Sequence, residues 1–505
     1  MCKQMPRLVA LTMVLMLSAM CLRAQALASA DAIVAEAQAR LGTTAGVIEL
    51  NRPARLDGDV ALKPGEVLRI TAPLTVGKAT VHLLGRNEIQ CEAPISVDDA
   101  TDLFVAEGVE DIRVRGCDVS VRGRAGGYLL TATRSARVVE TDNHLQNIAL
   151  FNTHNVGGEK SRTTDVSLNG NSVLFNHGQG PTAVYLLYVL RGTVSNNRFM
   201  GTGHGIEWWG GDGNIGWRGP EAVTGAGDLS ITGNQCYAAG GACVWGSMGF
   251  NVTVSGNSAD LCSDVCFDAE GGVRNLFTGN TAQACGNGCY SVQMEGVDVV
   301  FTGNFAYADA KRPALALFLI KHRNGNSAEH TNLTVTGNTM SCADLCTAFY
   351  SEGEGGLDLS HNTVVNGIMQ FVNYTNSVRI EENSLRFSVP LGARAAIAGP
   401  SLRNGHESII AGNTIRNDLP EIAAGSVCIA QAWSDDNSSD EMRITRNTCD
   451  GFGQGIVTET AGHNAGAPHA VWLLSGNEFT RIAASMQAVH RKTSGNEVYT
   501  VLPAP

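Results

Sequence analysis

The chain has 505 residues, among them 58 Gly and only 14 Pro, with 17% charged residues, 44% hydrophobic residues and a formal net charge of −12. This is a turn-rich β composition with enough apolar sequence for a large core, which excludes a disordered chain. The acidic balance argues against nucleic acid as a partner, because binding a phosphate backbone needs a basic surface.

The first element is a leader. Lys3 and Arg7 precede an almost wholly apolar stretch at 8–20, and Ala24-Gln25-Ala26 and Ala28-Ser29-Ala30 are both cleavage-like. This pattern predicts a secretory signal peptide over 1–30, too short and wrongly flanked for a membrane span. Cys21 after the apolar run also fits a lipoprotein, although Met20 is a poor match for the small residue that should precede it. No later run of 18 apolar residues follows, so no membrane span is expected and the location is secreted or periplasmic. Loss of Lys3, Arg7 and Arg23 takes the net charge from −12 to −15.

Residues 31–41 have helical spacing, with Ile33, Val34, Ala37 and Leu41 on one side and Asp31 placed as N-cap. Short alternating segments follow from Gly46, such as VIEL and TVHLL. Then one phrase recurs, an apolar strand ending in Thr/Ser-Gly-Asn or a near variant. It ends at Asn171, Asn234, Asn257, Asn280, Asn304, Asn338, Asn413 and Asn477, with weaker copies at Asn143, Asn197, Asn362, Asn383 and Asn447. The intervals run from 21 to 37 residues. A repeat of this length means stacked units that bury a core only together. Here the units read as coils of a parallel β-helix, which is an all-β fold. Gly and Asn both tolerate left-handed backbone angles, and stacked Asn amides can bond from coil to coil. The expected organisation is a capping helix over 31–45, a solenoid over 46–480 and a C-terminal cap over 481–505. A helix over the open end covers exposed core and strand edges.

Twelve cysteines remain after the leader, in the near-neighbour pairs Cys91/Cys117, Cys236/Cys243, Cys262/Cys266, Cys285/Cys289, Cys342/Cys346 and Cys428/Cys449. An even count in an exported protein reads as disulfides. Bridges within one coil and bridges joining Cys243, Cys266 and Cys289 from coil to coil both satisfy the spacing. Zinc is disfavoured because His partners at ligand spacing are absent.

The Gly-Asn coils, opening helix and leader resemble the pectate-lyase-like right-handed parallel β-helix superfamily over about residues 45–480. The resemblance implies a fold and not an activity, since that fold hosts lyases, hydrolases, epimerases and non-catalytic proteins. Of the motifs of its pectin hydrolases only Gly203-His204-Gly205 matches, and the others are missing from comparable places. A looser similarity is to exopolysaccharide-locus proteins and phage tailspike depolymerases.

Aligning coils on the glycine after each strand gives two outward columns. One reads Trp209, Trp245, Glu270, Glu295 and Glu352; the other reads Glu207, Cys243, Asp268, Gln293 and Tyr350. Trp208, Ala269 and Met294 should face the core. Stacked carboxylates repel one another unless a cation, a raised pKa or a substrate accounts for them. Glu207, Asp268, Glu270 and Glu295 are therefore the catalytic candidates, with His204, Trp209, Trp245, Lys321, His322, Arg323, Tyr350 and Glu352 as substrate contacts. Long insertions at 210–227 and 308–330 would wall the groove. The run at 433–436 lies several coils away and reads as a polar loop.

Three functions fit these residues. A glycoside hydrolase would cut a bacterial or plant polysaccharide with paired carboxylates. A polysaccharide lyase would use Lys321, His322 or Arg323 as base, with Ca2+ held by acidic residues. A non-catalytic polysaccharide-binding or assembly protein is the third. Geometry leans to an inverting hydrolase using Glu207 and Asp268, which fall two coils apart.

Overall fold

A computed structural model describes residues 27–154, 158–176, 180–211, 224–294, 296–311, 314–321, 332–352, 356–372, 377–399, 407–432, 441–459 and 471–488. Residues 1–26, Glu295, His322, Arg323 and the run at 433–436 lie outside the described residues, as do 212–223 and 322–330 of the two long insertions.

Most coils give three short strands, although in two coils the second and third run on as one, Thr339–Glu352 and Thr363–Val372. In one coil the three are Ala226–Thr232, Gln235–Tyr237 and Val244–Ser247. Each pairs in parallel with its counterpart in the next coil, Thr253–Ser255, Ser258–Asp260 and Phe267–Glu270. Repeated along the chain, these pairings form three parallel ladders, here called first, second and third in chain order. This is the right-handed parallel β-helix expected from the repeat. Strand side chains alternate, so each ladder turns every second residue inward. On the third ladder one inward column holds Phe267, Tyr290 and Phe318, whose rings stack at 5.3 and 4.7 Å. Tyr290 is fully buried, and its hydroxyl donates to the carbonyls of Asn280 at 2.7 Å and Phe305 at 3.0 Å, so the core carries this phenol without an orphan atom.

The repeat asparagines stand in one column between the first and second ladders. From Asn143 to Asn477 each Nδ2 donates to the Oδ1 of the asparagine in the following coil, at 2.9 or 3.0 Å. The same Oδ1 also accepts the preceding asparagine's backbone N–H, as Asn257 does from Asn234 at 2.9 Å. The left-handed angle belongs to the residue before the asparagine and not to the asparagine. Gly256 and Gly279 have φ of 62° and 61°, whereas none of the repeat asparagines has a positive φ. In the weaker copies Asp142 and Glu382 take that conformation, at 54° and 55°.

The helix spans Ala30–Leu41 and packs on the first coil, burying Ala30, Val34 and Ala37. Its N-cap is Ser29, whose side chain accepts from Ala32 N at 3.1 Å. Asp31, expected as the cap, stands in the first turn, where its charge suits the helix dipole. The last described strand, Ala484–Ala488, still pairs with Gln454–Glu459.

All twelve cysteines pair as near neighbours. Four bridges, Cys236–Cys243, Cys262–Cys266, Cys285–Cys289 and Cys342–Cys346, staple the corner between the second and third ladders within one coil. Cys91–Cys117 and Cys428–Cys449 join successive coils. The coil-to-coil alternative for Cys243, Cys266 and Cys289 is not used, because their side chains face inward and each meets a partner in its own coil.

Candidate functional site on the third ladder

Register on the third ladder fixes which residues stand together. Tyr185, Glu207, Trp245, Asp268, Ser291, Leu319 and Tyr350 form one outward column. Two residues further along each strand lie Trp209, Ser247, Glu270, Gln293 and Lys321. Glu352 follows in the same column two residues after Tyr350.

The alignment on following glycines is thus corrected at two coils. Trp245 belongs with Glu207, Gln293 belongs with Glu270, and Cys243 faces the core. The cause is Gly246. It is not a turn glycine but an inward strand residue paired with Trp208 and Ala269. A Cβ there would sit 1.7 Å from the Trp208 ring, so only glycine leaves room for the buried indole. In the next misaligned coil the strand Gly288–Gln293 ends three residues before Gly296. Trp208 and Ala269 do face inward as expected, but the next inward position belongs to Val292 and not to Met294, which lies past the end of its strand.

Glu207 and Glu270 share this face of the solenoid. Glu207 accepts from Thr182 Oγ1 at 2.8 Å. The Tyr185 phenol, one coil earlier in the same column, is pushed up to about 12 by burial first and then by the charge of Glu207 and a hydrogen bond to it. Tyr185 therefore stays protonated and donates. Asp268 is only 3% exposed. Burial first, and the nearby Glu270 charge second, push its carboxyl up to about 8, against the opposing hydrogen bond that Ser291 Oγ donates to Oδ1. The proton therefore belongs on Oδ2 at neutral pH.

Between these carboxyl groups the indole of Trp245 leans back over the coil of Glu207. It stacks on Trp209 at 5.9 Å and 20° and on His204 at 5.8 Å and 30°. His204 Nδ1 accepts from Ala242 N at 3.0 Å, which leaves the neutral ring its hydrogen on Nε2. Tyr350 donates to Glu352 Oε2 at 3.3 Å. Lys321 stands four coils beyond Glu207, about 19 Å along the axis. Among the described residues no group of three or more His, Cys, Asp or Glu is arranged to hold a metal ion.

Tyr185, Thr182 and Ser291 join the site beyond the residues that the sequence pattern indicates. Tyr185 was readable, since it alternates with the inward Val184 and Leu186. No glycine follows that strand to align it, and the bonds of Thr182 and Ser291 cross coils with no sequence signal.

Neither a protein-family model nor a curated protein matches the chain. Among solved structures it is similar to the A-module of mannuronan C-5 epimerase AlgE4 from Azotobacter vinelandii, at 14% identity and a TM-score of 0.37 over 76% of this chain and 96% of that one. It is similar to a hyperthermoactive exopolygalacturonase from Thermotoga maritima at 10% identity and TM-score 0.34, covering 76% of this chain and 86% of the other. A PL6 alginate lyase in complex with a trisaccharide is 11% identical, at TM-score 0.34, over 81% of this chain and 84% of that chain. These likenesses are too distant to assign a reaction.

Proposed function

We propose that this chain is an exported, polysaccharide-active protein that cleaves a glycosidic bond by inverting hydrolysis. The observation that carries the reading is a buried carboxylic acid, Asp268, in the same outward column as Glu207, with the Trp245, Trp209 and His204 rings beside them. Asp268 gives its proton to the glycosidic oxygen as the bond to the anomeric carbon breaks. Glu207 takes a proton from the water whose oxygen attacks that carbon from the opposite side. The leaving sugar departs as an alcohol, and exchange with solvent returns both carboxyls to their starting state. The two residues are two coils apart, about 10 Å between backbones, which fits the wide separation that leaves room for a water. The paired cysteines fit an oxidising compartment.

A lyase needs a base near the sugar carbon it deprotonates. Tyr185 holds its proton more tightly than a free phenol. Lys321 is remote from Glu207, and this favours hydrolysis. In the test, wild type and the variants Glu207→Gln and Asp268→Asn are incubated with a polysaccharide panel, reading reducing ends and the ultraviolet absorbance of an unsaturated product. New reducing ends without that absorbance are expected, with each variant slower by about 10²–10⁴-fold and still folded. Activity should fall as pH rises through about 8, where the acid loses its proton. Wild-type turnover by both variants would overturn the assignment, and an unsaturated product would replace it with the lyase.

A further inference from the structure

The second ladder carries a groove of its own. It measures about 490 Å³ and runs from Arg198 to Gln283 across four successive coils. Its outward column reads Tyr237, Asp260 and Gln283, and Tyr307 continues it in the next coil. Phe305 stands beside Tyr307 on the same strand. Tyr237 and Phe305 are 45% and 38% exposed, the two exposed large aromatic hydrophobics among the residues whose side chains are described.

Further along, the same ladder looks different. Arg386 and Arg416 pair with Asp418, and Arg481 pairs with Asp450, an ordinary solvated ladder of opposite charges. In the groove coils amides, hydroxyls and rings replace those pairs. Arg198 and Asp260 form no ion pair with any described residue, so their polar atoms face outward unused.

We propose that this groove is a second glycan-binding site, distinct from the cleavage groove, that holds a neutral oligosaccharide stretch along the solenoid axis. Sugar ring faces rest on Tyr237 and Phe305, and hydroxyls bond Asp260 and Gln283. Tyr237 and Tyr307 are three coils apart, about 14 Å, the span of a short oligosaccharide. The one cation and one anion balance, so an anionic polymer gains nothing here, and the chain's net charge of −12 disfavours nucleic acid. The bridges Cys236–Cys243, Cys262–Cys266 and Cys285–Cys289 fix each second-ladder strand to the third-ladder strand of its own coil. The two faces are therefore held at a fixed offset across that corner. The inference rests on the ligand being a glycan and not on its being cleaved.

The test uses the full chain carrying Glu207→Gln, so that bound sugar persists, on an immobilised array of neutral and acidic plant and bacterial oligosaccharides. Adding Tyr237→Ala with Phe305→Ala is expected to weaken retention on at least one neutral glycan about tenfold. Gln283→Ala alone should produce a smaller loss. In the background with Glu207 intact, the double variant should leave turnover of a short soluble substrate unchanged. Unaltered retention overturns the second site, as does retention of no glycan, or retention abolished by Trp209→Ala with Trp245→Ala alone. A wild-type chain that cleaves no glycan, but whose Glu207→Gln variant is held through Tyr237 and Phe305, sinks the hydrolase reading and leaves this site standing.

Discussion

Glu140 is a carboxylic acid in the wrong solvent. It pairs in register with Val114 and Leu168 on the inward side of the first ladder and is 0% exposed. Neither oxygen has a hydrogen-bond partner, and burial alone pushes the carboxyl well above its usual range. The group is neutral in the folded chain and still costs the desolvation of an unbonded acid. Glu140→Met keeps the volume and should raise stability by about 1–3 kcal/mol at neutral pH, read from the denaturant midpoint. The sign of the pH effect follows from proton counts. Between the unfolded and folded pKa the native state holds a proton that the unfolded chain releases, so stability falls as pH rises. For Asp268 that window runs from 3.8 to about 8. Asp268→Asn should flatten the decline across it, and Glu140→Met should gain more at pH 7 than at pH 4.

At the scale of elements, the asparagine column does what the first and second ladders cannot do for themselves. Asn257 accepts from Asn234 N and Nδ2 and donates to Asn280 Oδ1 and the Ile231 carbonyl, all within 2.9–3.0 Å. Asn257→Leu orphans at least two buried polar groups and should cost about 2–5 kcal/mol in chemical denaturation. A variant as stable as wild type would show that the column is decoration. This element was legible in the sequence because its cause is local: one left-handed residue, one amide, one repeat. The third-ladder register was legible only in part. A strand glycine that makes room for Trp208 looks the same in sequence as a turn glycine, so the columns slipped by two residues at Gly246. The buried state of Asp268 depends on neighbours in other coils and left no mark in its own strand. The helix end shows the same limit. Ala28–Ser29 pairs with Ala54 and Arg55, and Ser29 caps the helix. Cleavage after Ala30 would remove both, so on the proposal that the chain is exported, mass spectrometry of the processed protein should find Leu27 at its N-terminus.

At the scale of the whole solenoid, every described strand pairs with strands of the adjacent coils, so stability is largely a sum of local terms and a bridge protects the coils it spans. The loops closed are very unequal. Cys262–Cys266 and Cys285–Cys289 each close a separation of 4, whereas Cys91–Cys117 closes 26. Chain entropy then assigns about 2 kcal/mol to a corner staple and about 3.5 kcal/mol to Cys91–Cys117. Replacing both members of a pair with Ser should therefore cost more at Cys91/Cys117 than at Cys262/Cys266. The damage should also fall in different places. Hydrogen exchange should quicken around strands Glu88–Cys91 and Glu110–Arg115 in the first variant, and around strands Ser258–Asp260 and Phe267–Glu270 in the second. The corner staples lie in the coils that carry Trp245, Asp268 and Tyr237, where a small loosening moves two faces at once. The Cys262/Cys266 variant should thus lose glycan retention or turnover before it loses global stability. Titration of the unreduced, denatured chain lacking residues 1–26 is expected to find no free thiol. Free thiols at the corner positions, or equal and global exchange in both variants, would mean that the bridges do not hold the coils as described.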